Sequence, residues 1–231
     1  IIMNTIPIDD EILLNIGCGT MEAPFFIFVG AKKYIGFDYS YTAAKSSLES
    51  IKKLDGAGIT AQANAESLPI KNDSIDLVYS SGVLHHTPET QKTFDEVYRV
   101  LKPSGKAVIG LYNTYSPHFI KSRIKGILRM ILNSKDYKKW YDRSEGAWRT
   151  DKNIKPFIKT YSVREIKRML AKYKIYDLSI SKTGYSLAHI PLLSKLIENT
   201  KFAESPTIYL LNNQLAKLFG SMLVIKFKKN N

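Results

Sequence analysis

The 231-residue sequence has a single cysteine, Cys18, so no disulfide can form within the chain. That suits a reducing compartment, and the expectation is a cytoplasmic protein. No uninterrupted apolar run approaches the ~18 residues that would suggest a membrane span. Residues 1–10 lack the basic-then-apolar order of a secretory signal. Metal ligands are scarce too. His85 and His86 are adjacent and point in different directions, and Cys18 is committed to a glycine turn, so no metal site is expected. Negative charge is the other shortage: 21 Asp and Glu stand against 34 Lys and Arg, a net charge of +13.

The positive charge is concentrated. Residues 116–174 hold 17 Lys and Arg and 5 Asp and Glu, a net of +12, which leaves +1 for the rest of the chain. Such asymmetry fits an anionic partner: a membrane surface, a phosphorylated substrate or a nucleic acid. It equally fits a solvated lysine-rich face. Trp140, Tyr141 and Trp148 lie among basic residues, a mix found in single-strand nucleic-acid binders, but no RNA-binding module accompanies them.

The first half alternates strand-like and helix-like stretches. Strands are predicted at 11–16, 33–37, 59–63, 74–79 and 106–112. Helices are predicted at 21–30, where the run Phe-Phe-Ile-Phe is also strand-like, and at 41–54 and 90–101. Lys102-Pro103-Ser104-Gly105 reads as a turn before the fifth strand. Near-continuous apolar strands alternating with helices imply a mostly parallel sheet covered on both faces. Residues 117–132 read as a basic amphipathic helix, with Ile120, Ile124, Ile127, Leu128 and Ile131 on one stripe. Ser162 and Glu165 fit a capping box opening a helix to about 171. A sixth strand is expected at 174–182. A mostly helical stretch follows over 188–219, broken near 205–206, and a last strand at 221–228.

The strongest local feature is the strand-to-turn Leu13–Thr20, reading LLNIGCGT. Gly17 and Gly19 allow a tight turn and the close approach of a ligand. Asp38 follows nineteen residues after Gly19, at the end of the next strand, where an acid can accept hydrogen bonds from both hydroxyls of a ribose. This points to an adenosine-containing cofactor. A dinucleotide site would want a third glycine, but Thr20, Met21 and Glu22 follow, and Glu22 is a poor neighbour for a diphosphate. An amino-acid tail tolerates this loop better, which tilts the reading toward S-adenosylmethionine.

These segments, taken with YIGFDYS, ITAQANAESLPIKNDSIDLVYSSGVLHHTPE and EVYRVLKPSGKAVIGLYN, resemble the class I methyltransferases of the ubiquinone/menaquinone-biosynthesis-like group (methyltransferase type 11). The resemblance runs in order over about 12–113, with a weaker echo at 159–174. It implies a Rossmann-like three-layer α/β/α sandwich. The sheet would be seven-stranded and mostly parallel, with an antiparallel last strand, and a basic helical insert would follow the fifth strand. A single domain over 1–231 would hold a cofactor-binding core at 9–113 and inserted cap or acceptor-side segments at 114–161 and 185–220.

The resemblance also assigns roles. Asn15, Gly17, Cys18 and Gly19 would line the methionine part of S-adenosylmethionine. Asp38 would take the ribose, Tyr39 the adenine, and Asn64, Ala65 and Glu66 the adenine amino group. Ser80 would lie by the methionine amine or the sulfonium. His86, His85 and Tyr112 are the candidate catalytic residues, the histidines at the mouth of the site; a structural role in the loop for the histidines and packing for the tyrosine are the competing readings. Asn15 and Asn64 stand where the group commonly has acids, and Met21 where glycine is frequent. Relatives also carry more chain before the first strand, as a lid. The leading expectation is methyl transfer to a small-molecule, lipid-like or glycan-like acceptor. An RNA or protein methyltransferase using the basic insert is a second expectation, and a non-catalytic cofactor-binding relative a third.

Overall fold

The computed structural model describes residues 8, 11–19, 22–54, 56–121, 123–124, 159–184 and 206–231. The chain opens with β1 (Ile12–Ile16), α1 (Glu22–Phe28), β2 (Lys33–Asp38), α2 (Tyr41–Lys53), β3 (Gly58–Gln62) and β4 (Ile75–Ser81). A single 3-10 turn, Leu84–His86, leads to α3 (Thr90–Val100) and β5 (Leu101–Tyr112). After the insert come α4 (Val163–Leu170), β6 (Ile175–Thr183), α5 (Pro206–Phe219) and β7 (Met222–Lys229).

The seven strands lie in the order β3-β2-β1-β4-β5-β7-β6. The sheet is mostly parallel with one antiparallel strand, the expected Rossmann-like α/β arrangement. β1 pairs in parallel with β2, Asn15 opposite Gly36, and with β4, Asn15 opposite Tyr79. Strand order therefore reverses at β1, because β2 and β3 run out one side and β4 and β5 the other. Ligands of open α/β sheets usually bind at such a reversal, beyond the carboxyl ends of the strands, here those of β1 and β4. In β4, Ile75, Leu77, Val78, Tyr79 and Ser80 are all buried, so both faces of the sheet are covered there.

The described chain divides into two compact units. One comprises 1–111, 156–180 and 224–231; the other comprises 112–155 and 181–223. The core of the first gathers Leu13, Cys18, Phe26, Tyr34, Ile51, Leu77, Tyr79 and Val108. Phe26 meets Tyr79 edge-on at 4.9 Å and stacks on Tyr34 at 6.1 Å, so α1 is locked onto β1, β2 and β4 by its aromatic face. That packing settles the ambiguous Phe-Phe-Ile-Phe run as helix. In the second unit, Asn113 Nδ2 donates to the Gly220 carbonyl at 2.8 Å, tying the end of β5 to the end of α5.

One expectation needs correction. β5 begins at Leu101 rather than Lys106, and the Pro103-Ser104-Gly105 stretch lies within the strand as a bulge. Ile75 pairs with Leu101 and Leu77 with Lys106, and Ser104 takes φ 63° to absorb the surplus residues. Turn chemistry is present, but the ladder with β4 continues past it. In the basic segment, residues 117–121 and 123–124 are helical, yet Ile120 and Ile124 are exposed. The buried residue there is Phe119, whose ring lies 5.0 Å from that of Tyr112. The remainder of the expected helix to 132, and 185–205 of the expected helical stretch, lie outside the described residues.

The capping box is present. Ser162 Oγ accepts from the Glu165 amide at 3.2 Å, and Glu165 Oε2 accepts from the Ser162 amide at 2.7 Å. Replacing Ser162 by alanine is expected to lower unfolding stability by about 1 kcal/mol, read by urea titration.

Candidate cofactor-binding site

The site is built on the turn after β1. The Gly17 and Cys18 amides both donate to the Phe37 carbonyl, at 2.7 and 3.0 Å, so the turn folds back over the end of β2. Gly17 sits at φ +78°, and a Cβ there would lie 2.2 Å from Val83 Cγ2. Gly19 sits at φ +51°, and a Cβ there would meet no described residue within 4 Å. The first glycine is therefore required by the protein's own packing. The second leaves open space beside the backbone, where a ligand can come close.

Asp38 organises the floor. Its Oδ2 accepts from the Gly19 amide at 3.1 Å and its Oδ1 from the Ser40 amide at 2.8 Å. Each carboxylate oxygen keeps a further lone pair, so a diol can still be received. Ser40 also caps α2, its Oγ accepting from the Ala43 amide at 3.4 Å. Tyr39, next along, is 64% exposed. Asn64 forms a lone antiparallel bridge with Ser67, and its Oδ1 accepts from the Glu66 amide at 2.9 Å, shaping the turn that contains Ala65. Glu66 Oε1 accepts from the Glu89 amide at 2.6 Å, which fixes that turn to the start of α3.

Ser80, His85 and Tyr112 are engaged by the protein's own packing. Ser80 is fully buried, and its hydroxyl donates to the Ile16 carbonyl at 2.8 Å, joining β4 to β1 rather than leaving a free donor. His85 is also fully buried, and burial with the neighbouring His86 pushes its pKa down to about 2. It stays neutral through the physiological range and does not stand at a solvent-facing mouth as a base. Its carbonyl accepts from the Lys159 amide at 3.1 Å. His86 is half-buried, its ring 4.2 Å from that of His85. Tyr112 belongs to the second unit, packed on Phe119. The Cys18 thiol is buried and pushed up to about 12, chiefly by desolvation and then by Asp38, so it is no nucleophile.

Asn15 holds what sequence reasoning did not anticipate. Fully buried, it donates from Nδ2 to Glu22 Oε2 at 2.8 Å and to the Tyr34 hydroxyl at 2.9 Å. Its Oδ1 is buried without a hydrogen-bond partner. The only sequence signal for this pairing was an acid in the first turn of the helix after the glycines. Among the described residues, no group of three or more His, Cys, Asp and Glu could hold a metal ion.

A glycine turn with open space beside it, a pre-set carboxylate on the next strand and a reversal of strand order define an adenosine-cofactor-binding α/β domain. Comparison with known proteins sharpens the class. Residues 14–109 match the methyltransferase domain family. The chain is 30% identical over 106 residues to an arsenite methyltransferase of Halobacterium salinarum, covering 43% of this chain and 26% of that protein. It is 31% identical over 96 residues to a ubiquinone/menaquinone biosynthesis C-methyltransferase of Escherichia fergusonii, covering 40% and 38%. It thus spans well under half the length of either relative. An S-adenosylmethionine-dependent methyltransferase from Mesorhizobium loti shares its fold, with a TM-score of 0.64 at 14% identity over 99% of this chain and 95% of that one. Over residues 14–109 the chain is therefore similar to the methyltransferase domain, and its fold is one that S-adenosylmethionine-dependent methyltransferases share.

The residues present fit that cofactor. No described residue crowds Gly19, Asp38 offers the acceptors for a ribose diol, and Tyr39, next in the chain, is exposed.

Proposed function

We propose that the protein transfers a methyl group from S-adenosylmethionine to a small-molecule or lipid-like acceptor. The observation that carries this reading is the Gly19–Asp38 cradle at the strand-order reversal. When bound, the cofactor supplies an electrophilic methyl group on a sulfonium. The chain's part is to hold the acceptor in line and to exclude water. Asp38 fixes the ribose and the Gly17–Gly19 backbone lies along the cofactor. Asn64, Ala65 and Glu66 form the turn proposed for the adenine amino group. For an oxygen or nitrogen acceptor, His86 is the candidate to take the proton.

The basic stretch 116–174 supports an acceptor that is anionic or borne on an anionic surface. Ile120 and Ile124, exposed beside Lys121 and Arg123, support contact at a lipid–water boundary. Among the described residues no helix is long and apolar enough to cross a membrane. Calorimetric titration tests the cofactor reading. S-adenosylhomocysteine is expected to bind at micromolar concentration, and a nicotinamide dinucleotide to give no heat. Binding of the dinucleotide instead would overturn the reading. Methyl transfer to anionic lipids and phosphorylated glycans is then screened against RNA and peptide acceptors. Transfer to RNA alone would favour the nucleic-acid alternative, and binding without transfer to any acceptor the non-catalytic one.

A further inference from the structure

The end of β1 presents a neutral amide, Asn15, where the strand meets the glycine turn. The negative charge nearest to it is on Glu22, in the first turn of α1, held at 2.8 Å by the Asn15 amide. Tyr34 takes the second amide hydrogen, so Asn15 is clamped between β2 and α1 with its NH2 group aimed at the carboxylate. That arrangement fixes the rotamer of both side chains. The charged and titratable groups facing Glu22 are Asp38 on β2, Cys18 in the turn, Tyr34 on β2 and Tyr79 on β4. None is a cation. A half-buried carboxylate with an amide on one oxygen, a second carboxylate nearby and no positive partner among these groups is an acceptor for a positive charge supplied from outside.

On the cofactor reading above, we infer that Glu22, oriented by Asn15, receives the α-ammonium group of the S-adenosylmethionine tail. Asp38 acts on Glu22, and both act on the Cys18 thiol, so tail and sugar would be received at neighbouring carboxylates. Asn15 is the positioning residue and Glu22 the binding residue.

Solution chemistry follows from the setting. Burial, opposed by the Asn15 hydrogen bond and reinforced by Asp38, pushes the Glu22 carboxyl up to about 7 from its usual 4.5. Between those values the folded chain holds a proton that the unfolded chain has released. The free protein therefore loses stability as pH rises through that window. An ammonium beside the carboxylate reverses the cost, so binding is coupled to loss of the Glu22 proton.

The test is calorimetric titration with S-adenosylhomocysteine from pH 6 to 8, in two buffers of different ionisation enthalpy. The wild-type chain is expected to bind roughly tenfold more weakly at pH 6 than at pH 8, and to release close to one proton per ligand at the lower pH. Glu22→Gln is expected to bind roughly tenfold more weakly at pH 8, with no proton release, while melting higher than wild type at that pH. The exchange Asn15→Asp with Glu22→Gln reverses the amide–carboxylate pair, with Tyr34 turning to donate, and is expected to recover most of the lost affinity. Should Glu22→Gln fail to fold, the wild-type pH series and proton count decide alone. Binding that is independent of pH, with no proton released, overturns the role of Glu22 and leaves the cofactor reading standing. No binding at any pH overturns the cofactor reading and this inference with it.

Discussion

Asp38→Ala is expected to weaken S-adenosylhomocysteine binding by at least about a hundredfold, to below detection in a standard titration. Two charge-assisted hydrogen bonds to a ribose diol, at ~1.5–3 kcal/mol each, account for that size. The variant also loses the acceptors for the Gly19 and Ser40 amides, at 3.1 and 2.8 Å, so the glycine turn is no longer tied to β2. A stability loss of roughly 1–3 kcal/mol should accompany it, read by thermal melting. Asp38→Asn separates the two effects. It keeps the side-chain volume and one of the two amide acceptors, so it should lose less stability than the alanine variant and still bind at least tenfold more weakly. Undiminished affinity in either variant would remove Asp38 from the cofactor site.

The two glycines of the turn should fail in opposite ways. In Gly17→Ala the new methyl would be 2.2 Å from Val83 Cγ2 at a backbone angle of φ +78°. Left-handed strain of ~1–2 kcal/mol and overpacking of ~1–3 kcal/mol sum to about 3 kcal/mol of lost stability. That corresponds to a fall in melting temperature of about 6–12 °C for a chain of this size. Adding Val83→Ala should return the overpacking part and leave the strain. In Gly19→Ala the methyl meets no atom of the described residues within 4 Å, so the strain of φ +51° is the main structural cost, about 1 kcal/mol. Its main effect should be on binding, because the methyl fills the space left for the ligand. A Gly19 variant that melts like wild type and binds like wild type would place the cofactor elsewhere.

Much of the fold was legible because its signals are local. The apolar runs of β1, β2 and β4, the helical spacing of α2 and α3, and the Ser162–Glu165 cap each depend on neighbours a few residues apart. The start of β5 was misread for the same reason. Pro103-Ser104-Gly105 carries turn chemistry, but pairing with β4 is a long-range term and it prevailed, leaving a bulge. The apolar stripe expected from 117 onward met a similar limit. Spacing identifies a face but cannot say what covers it, and among the described residues of 117–124 Phe119 is the buried one.

The sequence by itself determined the strand–glycine-turn–strand–acid order, and with it the class of cofactor. Backbone conformation at Gly17 and Gly19 and the reach from Gly19 to Asp38 are consequences of short segments with few alternatives. Only the tertiary structure decided what each polar side chain faces. His85 and His86 are neighbours in sequence, yet full burial strips His85 of basicity while His86 keeps partial access to solvent. Asn15 and Glu22 are separated by the whole turn, yet packing of α1 on the sheet brings them to 2.8 Å. Burial and long-range contact set the energy of a charge, and neither is written in the spacing of residues along the chain.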